Sequence, residues 1–374
     1  MPRPASRVPR LAATRRASDS AARRGARLAR SARRSRVSPC GGYPCHGALA
    51  TVLLLLTLHA PTALAHGGEH HDAPPTASAG HPAQAPPPPD YWRTWVFDPV
   101  TVTALACSAV LYAAGAAHIW RSVGAGRGLH AWEAGAFATG WLTLVVALVS
   151  PLHPLGEMLF FAHMIQHELL MLVAAPLLVL GRPVVAFLSA LPRRWAGRLA
   201  RAAARPAWRT TWHTITRPLT AWAVHAAVLW VWHAPPLMDA VLHDRTVHAL
   251  QHVSFFASAL LFWWAVIDGG RNRAAYGAAV LYLFTTAVHS GLLGVLITYA
   301  SAVLYPTYLQ TAPRFGWAPL DDQQVGGVIM WIPACTVAGL ILFAAWLRES
   351  DRRVARWQPT ATSPPPPLQA GGGA

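Results

Sequence analysis

Two pairs of histidines stand four residues apart in this sequence, each pair inside a strongly apolar stretch. His163 and His167 occur in FFAHMIQHELLMLVAAP, and His248 and His252 occur in HDRTVHALQHVSFF. The i,i+4 spacing places both imidazoles of a pair on one face of a helix. Neutral imidazole is a ready ligand for copper, zinc and iron. Four imidazoles that converge between two helices therefore predict a metal site.

Other polar side chains near these pairs could complete such a site. Additional ligands would come from histidines that precede the pairs and from a thioether beside the first pair: His153, His233, His243 and Met164. Carboxylates and amides orient metal-bound imidazoles in many proteins, which suggests that role for Glu168, Asp321, Asp322, Gln323 and Gln324. The alternative is that the paired histidines serve only as hydrogen-bond partners between helices.

The elements that must position these residues are apolar segments of membrane-spanning length. Hydrophobic residues make up 53% of the 374 positions and charged residues only 12%, which is unlike a soluble domain. Seven segments approach the ~20 residues that a spanning helix needs. They are approximately 99–120, 131–150, 159–180, 218–234, 247–267, 277–299 and 325–347. The predicted fold is an all-α integral membrane protein, a bundle of seven transmembrane helices.

The distribution of arginine predicts the orientation of this bundle. If the processed N-terminus lies outside, 16 arginines fall on the inner side and three, Arg93, Arg245 and Arg314, on the outer side. This matches the positive-inside rule and places the C-terminus in the cytoplasm. Each histidine pair then lies within the outer part of its helix. At ~1.5 Å per residue, His163 and His167 would be roughly 7 and 13 Å below the outer boundary.

The termini are predicted to lie outside the bundle. Residues 1–65 read as a basic region and a signal peptide that ends in an A-x-A cleavage site. Residues 66–97 form a His- and Pro-rich segment, predicted to be a disordered periplasmic spacer, before a membrane domain at 98–348 and a disordered cytoplasmic tail at 349–374.

The basic residues have their own distribution. Twelve of the 31 arginines lie in the first 36 positions, so the charge does not indicate nucleic-acid binding. In the long inner loop, RRWAGRLARAAAR predicts an amphipathic helix on anionic lipid.

Three motifs in order resemble the CtaG family of cytochrome c oxidase assembly factors: HMIQHELLMLVAAPLLVLGRP, HDRTVHALQHVSFFASALLFWW and DDQQVGGVIMWIP. The family motifs fall on His163, Gln166, His167, Pro176, Gly181, Pro183, His248, Gln251, His252, Asp322, Gln323, Gln324 and Gly327. The resemblance implies a bacterial plasma membrane protein without catalytic activity that works with an oxidase subunit, and with other copper chaperones. It also makes copper the favoured ion.

Two other functions fit the histidines less well. A b-type cytochrome would hold haem between histidines about 14 residues apart, as His153 and His167 are, but Pro151 and Pro154 place His153 outside the helix. A copper transporter would need ligands down to the inner face, where His118 alone lies within a span. Hydrolysis is not indicated either, because HELLM carries Met171 where a zinc protease motif has its second histidine.

Overall fold

The structure, a computed structural model, describes residues 93–269 and 273–333. Regular structure in these two ranges is helical, without strands. The helices are α1 (Pro99–Val123), α2 (Ala131–Leu148), α3 (Leu152–Met158), α4 (Phe160–Leu180), α5 (Pro183–Ala190), α6 (Arg193–Ala203), α7 (Pro206–Ile215), α8 (Pro218–Trp232), α9 (Pro235–His243), α10 (Arg245–Gly269), α11 (Arg273–Thr298), α12 (Tyr308–Thr311) and α13, described from 319 to 333.

Five of the described helices are long and apolar enough to cross a membrane: α1, α2, α4, α10 and α11. They coincide with the first, second, third, fifth and sixth predicted segments. The fourth segment is α8, an apolar helix of 15 residues. Proline suits the first turn of a helix but not its interior, so Pro218 begins α8 and Pro235 begins the next helix. The all-helical prediction is confirmed for the described residues.

The seventh predicted segment and the termini are described only in part. Helix α13 begins at residue 319, six positions before the predicted 325, and its described part ends at residue 333. The predicted signal peptide, most of the His- and Pro-rich segment, and the cytoplasmic tail lie outside the described residues. The count of seven spans and the orientation remain predictions.

Helices α2 and α4 run in opposite directions. Where α2 ends and α4 begins, the amide of Gln166 donates to the carbonyl of Ala147 over 2.7 Å. At the other end of the same helices, Arg182 pairs with Glu133 at 3.4 Å. The end where α4, α10 and α13 begin is called the histidine end below, and the opposite one the arginine end. The histidine pairs therefore share one end of the bundle.

Helix α4 changes its winding directly after the first histidine pair. Residues Leu169–Ala174 form a π-helical stretch. Pro176 has no N–H, and its ring would clash with the carbonyl of Leu172 in a regular α-helix, which accounts for the wider turn. The indole of Trp263 in α10 donates to the carbonyl of Met171 over 2.8 Å. This contact ties the irregular turn to the helix that carries the second histidine pair.

Large apolar side chains cover the surface of the bundle that faces away from its core. Val110, Leu142 and Leu281 are each more than half exposed, on three different long helices. Phe255 and Ala174 are fully buried at its centre. Apolar residues on both the inside and the outside of a helix bundle are typical of a membrane protein, because lipid is the outer solvent.

The arginine end carries three short helices where the sequence predicts one. Each starts at or just after a proline, at Pro183, Pro192 and Pro206. The middle one, α6, is the predicted amphipathic helix, and its Arg198 guanidinium lies 4.8 Å from the ring of Trp195. The helix is thus confirmed, whereas its contact with lipid remains a prediction.

Candidate metal centre

Two features position the first histidine pair: an interruption of the helix just before it, and a helix cap that α13 supplies. Leu159 is extended, which separates α3 from α4. The carboxylate of Asp322 in α13 accepts hydrogen bonds from the backbone N–H groups of Phe160 (2.8 Å) and Phe161 (3.0 Å). These are N–H groups that a helix start leaves without an intrahelical partner. His163 and His167 follow in the next turns and are buried.

The second pair is positioned by a local cap. The carboxylate of Asp244 accepts from the backbone N–H groups of Thr246 and Val247 at the start of α10. Asp is a preferred residue at this position for that reason, and these two hydrogen bonds lower the pKa of the exposed Asp244 carboxyl. His248 and His252 follow and are less than one tenth exposed.

The two pairs face each other at the histidine end. Ring centroids are 4.3 Å apart within the first pair and 4.4 Å within the second. Across the pairs the distances are 5.3 Å for His163 and His248, 5.6 Å for His167 and His252, and 5.9 Å for His163 and His252. The structure thus brings together the four histidines that the sequence pairs.

Two overlapping sets of three histidines have metal-ligand spacing among the described residues. One set is His163, His167 and His252, and the other is His153, His248 and His252. Within each set, one nitrogen from every ring lies within 4.8 Å of the others. They are called the inner triad and the outer triad below. His252 belongs to both.

Several buried nitrogens of the four paired histidines have no hydrogen-bond partner. They are His163 Nδ1, both nitrogens of His167, His248 Nε2 and His252 Nε2. A buried polar atom without a partner destabilises a fold by roughly 1–3 kcal/mol, and native structures contain few. Lone pairs that converge without protein donors are what a bound cation requires. The residues therefore fit a metal ion.

Two glutamines, named in the sequence only as family-motif residues, contact the histidines. Gln251 Oε1 lies 3.1 Å from His163 Nε2, and its amide nitrogen lies 3.6 Å from the sulfur of the buried Met238. Gln166 uses its amide nitrogen twice, toward the carbonyl of Ala147 and, at 2.9 Å, toward His153 Nδ1. Gln251 therefore determines which ring nitrogen of His163 carries the proton, and Gln166 does the same for His153.

The four additional predicted ligands differ in how they contact the paired histidines. His153 lies on α3 and stacks on His248 with centroids 5.2 Å apart. His233 donates from Nδ1 to the carbonyl of Leu229, and its ring is 6.1 Å from His167. His243 is exposed, donates to the carbonyl of Asp239 and belongs to neither triad. Met164 packs toward α13, where a side chain on Gly326 would meet it.

Of the five residues predicted to orient the imidazoles, Asp322 and Gln323 make hydrogen bonds to backbone groups. Asp322 caps α4, as described above. The carbonyl oxygen of the Gln323 side chain accepts from the backbone N–H of Leu304 over 2.6 Å. Asp321 is exposed, Gln324 is half-buried, and Glu168 has a buried carboxylate oxygen without a hydrogen-bond partner. Asp322 and Gln323 thus bind backbone N–H groups at helix ends, and a role of these five residues in orienting the imidazoles remains a prediction.

Sequence reasoning missed three features of the site. Glu157 in α3 places a carboxylate oxygen 3.9 Å from His248 Nδ1. Tyr305 and Tyr308, from the segment after α11, donate to the carbonyls of His233 and Gly156 and are almost fully buried. None of these follows a motif spacing. The sequence signal that could have identified them is the polar and aromatic content of the segments beside the histidine-bearing helices.

Helix α3 lies outside the spanning helices, and burial acts on its titratable groups. Burial lowers the pKa of His153, more than the Asp98 carboxylate raises it. Burial also raises the pKa of Glu157, against the lowering effect of Arg245. His153 is therefore neutral at pH 7 and keeps a lone pair.

Comparison with known proteins identifies relatives over most of the chain. A family model described as cytochrome c oxidase caa3 assembly factor matches residues 110–350. Uncharacterized proteins of Mycobacterium bovis and Mycobacterium tuberculosis are each 30% identical over 289 residues, covering 73% of this chain and 42% of theirs. A similar protein of Mycobacterium leprae is 28% identical over 298 residues. The chain thus spans about two fifths of the length of these relatives.

No solved structure matches the chain. The family match covers more than half of its length and includes both histidine pairs and the start of α13. The chain belongs to the CtaG family of caa3-type cytochrome c oxidase assembly factors.

Proposed function

We propose that this protein carries copper for the assembly of a cytochrome c oxidase and holds the ion as cargo in its histidine cluster. The observation that carries the proposal is the convergence of buried imidazole nitrogens without hydrogen-bond partners at the histidine end. Imidazole suits copper, and the haem–copper oxidase that such factors serve contains it. The role is non-catalytic, since the protein binds and transfers an ion without a covalent change.

The proposed setting follows from the charge of the loops. Seven spans in the bacterial plasma membrane, with the processed N-terminus outside, place the histidine end at the outer face and the C-terminus in the cytoplasm. An oxidase subunit would then receive the ion at the outer face, and other copper chaperones would supply it there. In this arrangement, the accessible part of the histidine cluster faces the outside of the cell.

Haem is a weaker candidate for the same histidines. Bis-histidine ligation needs a flat space for the porphyrin between the two rings. His163 and His248 instead stack on each other, with an angle of 18° between the ring planes, and His153 stacks on His248 at the same angle. His153 also lies on a separate helix from His167, as its flanking prolines predict.

The test compares copper content with oxidase assembly. The full-length protein in detergent should retain copper after desalting. A variant with alanine at His163, His167, His248 and His252 should lose it while still inserting, because removal of polar groups favours insertion. Cells with this variant should lack active oxidase. His243→Ala is the matched control, because this exposed histidine lies outside both triads. Copper and full oxidase activity in the fourfold variant would leave the pairs as hydrogen-bond partners between helices.

A further inference from the structure

The two triads are arranged in series from the surface to the interior. In the outer triad, His153 is only partly buried and lies on a short helix outside the spans. Its neighbour Glu157 has a side chain that is 40% exposed. In the inner triad all three histidines are buried, and His163 and His167 are essentially inaccessible. An ion from solvent therefore meets the outer triad first.

The two glutamines have opposite effects on the lone pairs of the two triads. Gln251 Oε1 can only accept, so His163 carries its proton on Nε2 and keeps the lone pair of Nδ1 free. Gln166 donates to His153 Nδ1, because its nitrogen is fixed by the carbonyl of Ala147, and so occupies that lone pair. The inner triad is preorganised for a cation. In the outer triad the same cation must displace a hydrogen bond.

His252 connects the two sets. Its ring lies 5.6 Å from His167 in the inner triad and 4.4 Å from His248 in the outer triad. A neutral imidazole offers one lone pair, because its other nitrogen carries the proton. His252 can therefore ligate one ion at a time.

We propose that the cluster is a two-position path for a single copper ion, in which His153, His248 and His252 form an entry position and His163, His167 and His252 form a holding position. The ion passes between them by ligand exchange while His252 stays bound, and no bond of the protein breaks. This inference rests on the proposed copper function. It adds that the outer triad controls the rate of exchange and the inner triad controls retention.

The test measures both the number of Cu(I) ions and their rate of transfer to a chelator. The full-length protein is loaded with Cu(I) in detergent under anaerobic, reducing conditions and mixed with bathocuproine disulfonate. Wild type should bind one ion. His153→Ala should also bind one ion, with uptake and release at least about tenfold slower, because it loses an entry ligand only. His153 is partly exposed, so its removal leaves the buried core in place.

The complementary variants act on retention. His167→Phe keeps an aromatic ring against Phe255, which packs 4.5 Å from the His167 ring, and should release copper at least about tenfold faster. His252→Ala removes a ligand from both positions and should lose copper in a chelator wash that wild type survives. His243→Ala should behave as wild type in every assay, since it belongs to neither triad.

The outcomes separate the path from the copper function itself. Failure of wild type to bind any Cu(I) would overturn the proposed function. Binding of two ions in the cluster at once would overturn the path, because the two positions would then be filled together and not in turn. Exchange at the wild-type rate in His153→Ala would overturn it as well and would leave a single buried copper site.

Discussion

At the scale of single residues, the site depends on where imidazole protons reside. A histidine binds a metal only through a nitrogen that has no proton. Gln251 sets this state for His163 and is itself held by the sulfur of Met238. Hydrogen bonds of this kind to a metal-binding histidine fix its tautomer and its ring orientation. Gln251 is therefore as much a part of the site as the histidine next to it in sequence.

Substitution Gln251→Leu should weaken copper binding without removing a ligand. Leucine has a similar volume but cannot accept from His163 Nε2, so the proton is free to move to Nδ1. Loss of such a partner lowers metal affinity by about 10–100-fold. Competition with a Cu(I) chelator of known affinity measures the change. Gln310→Leu is the matched control, because that glutamine is exposed on α12. An affinity equal to wild type in Gln251→Leu would show that the tautomer is not set by this amide.

At the scale of helices, distant polar residues fix where the histidine-bearing helices begin. The sequence predicts that Asp322 lies near the site, but it does not reveal what this carboxylate binds. Its partner is the backbone N–H of Phe160, 162 residues away along the chain. Its two hydrogen bonds join the first turn of α13 to the first turn of α4. The position of His163 therefore depends on a carboxylate from a different helix.

Substitution Asp322→Ala should destabilise the bundle and weaken copper binding together. Two N–H groups at the start of α4 would lose their acceptor, and loss of a helix cap costs about 0.5–2 kcal/mol. Thermal unfolding in detergent gives the stability change, and chelator competition gives the affinity. Asp321→Ala should leave both unchanged, since the neighbouring Asp321 is exposed. Equal unfolding temperatures for the two variants would contradict the capping role.

Helix periodicity and hydropathy made much of this architecture predictable. The bounds of α1, α2, α4, α10 and α11 follow from apolar runs, and the i,i+4 spacing places each histidine pair on one face. The stacking of His153 on His248 was not predictable, since it depends on how the loop before α4 folds as the separate helix α3. The partners of Gln251 and Asp322 were not predictable for the same reason. Such contacts arise from packing between helices far apart in sequence, which no local pattern encodes.

At the scale of the whole molecule, the arginine distribution predicts that the two ends of the bundle lie in different compartments. The segment between α4 and α8 carries eight arginines, from Arg182 to Arg217, and lies at the arginine end. The histidine triads lie at the other end. Cytoplasmic loops retain arginine because its translocation is unfavourable. The charge therefore predicts that copper is bound and released on the side away from the cytoplasm.

Reporter fusions at the two ends test this arrangement. Alkaline phosphatase, which is active only outside the cytoplasm, should be active when fused after Gln310, in the segment between α11 and α13. The same enzyme fused after Ala204, between α6 and α7, should be inactive. A fluorescent protein that folds only in the cytoplasm should give the reverse pattern at the same two positions. Gln310 lies in α12 and Ala204 directly follows α6, so both fusion points fall in segments that the structure describes. Phosphatase activity after Ala204 would place the histidine end in the cytoplasm, and delivery of copper to an acceptor on the outer face would then be impossible from this site.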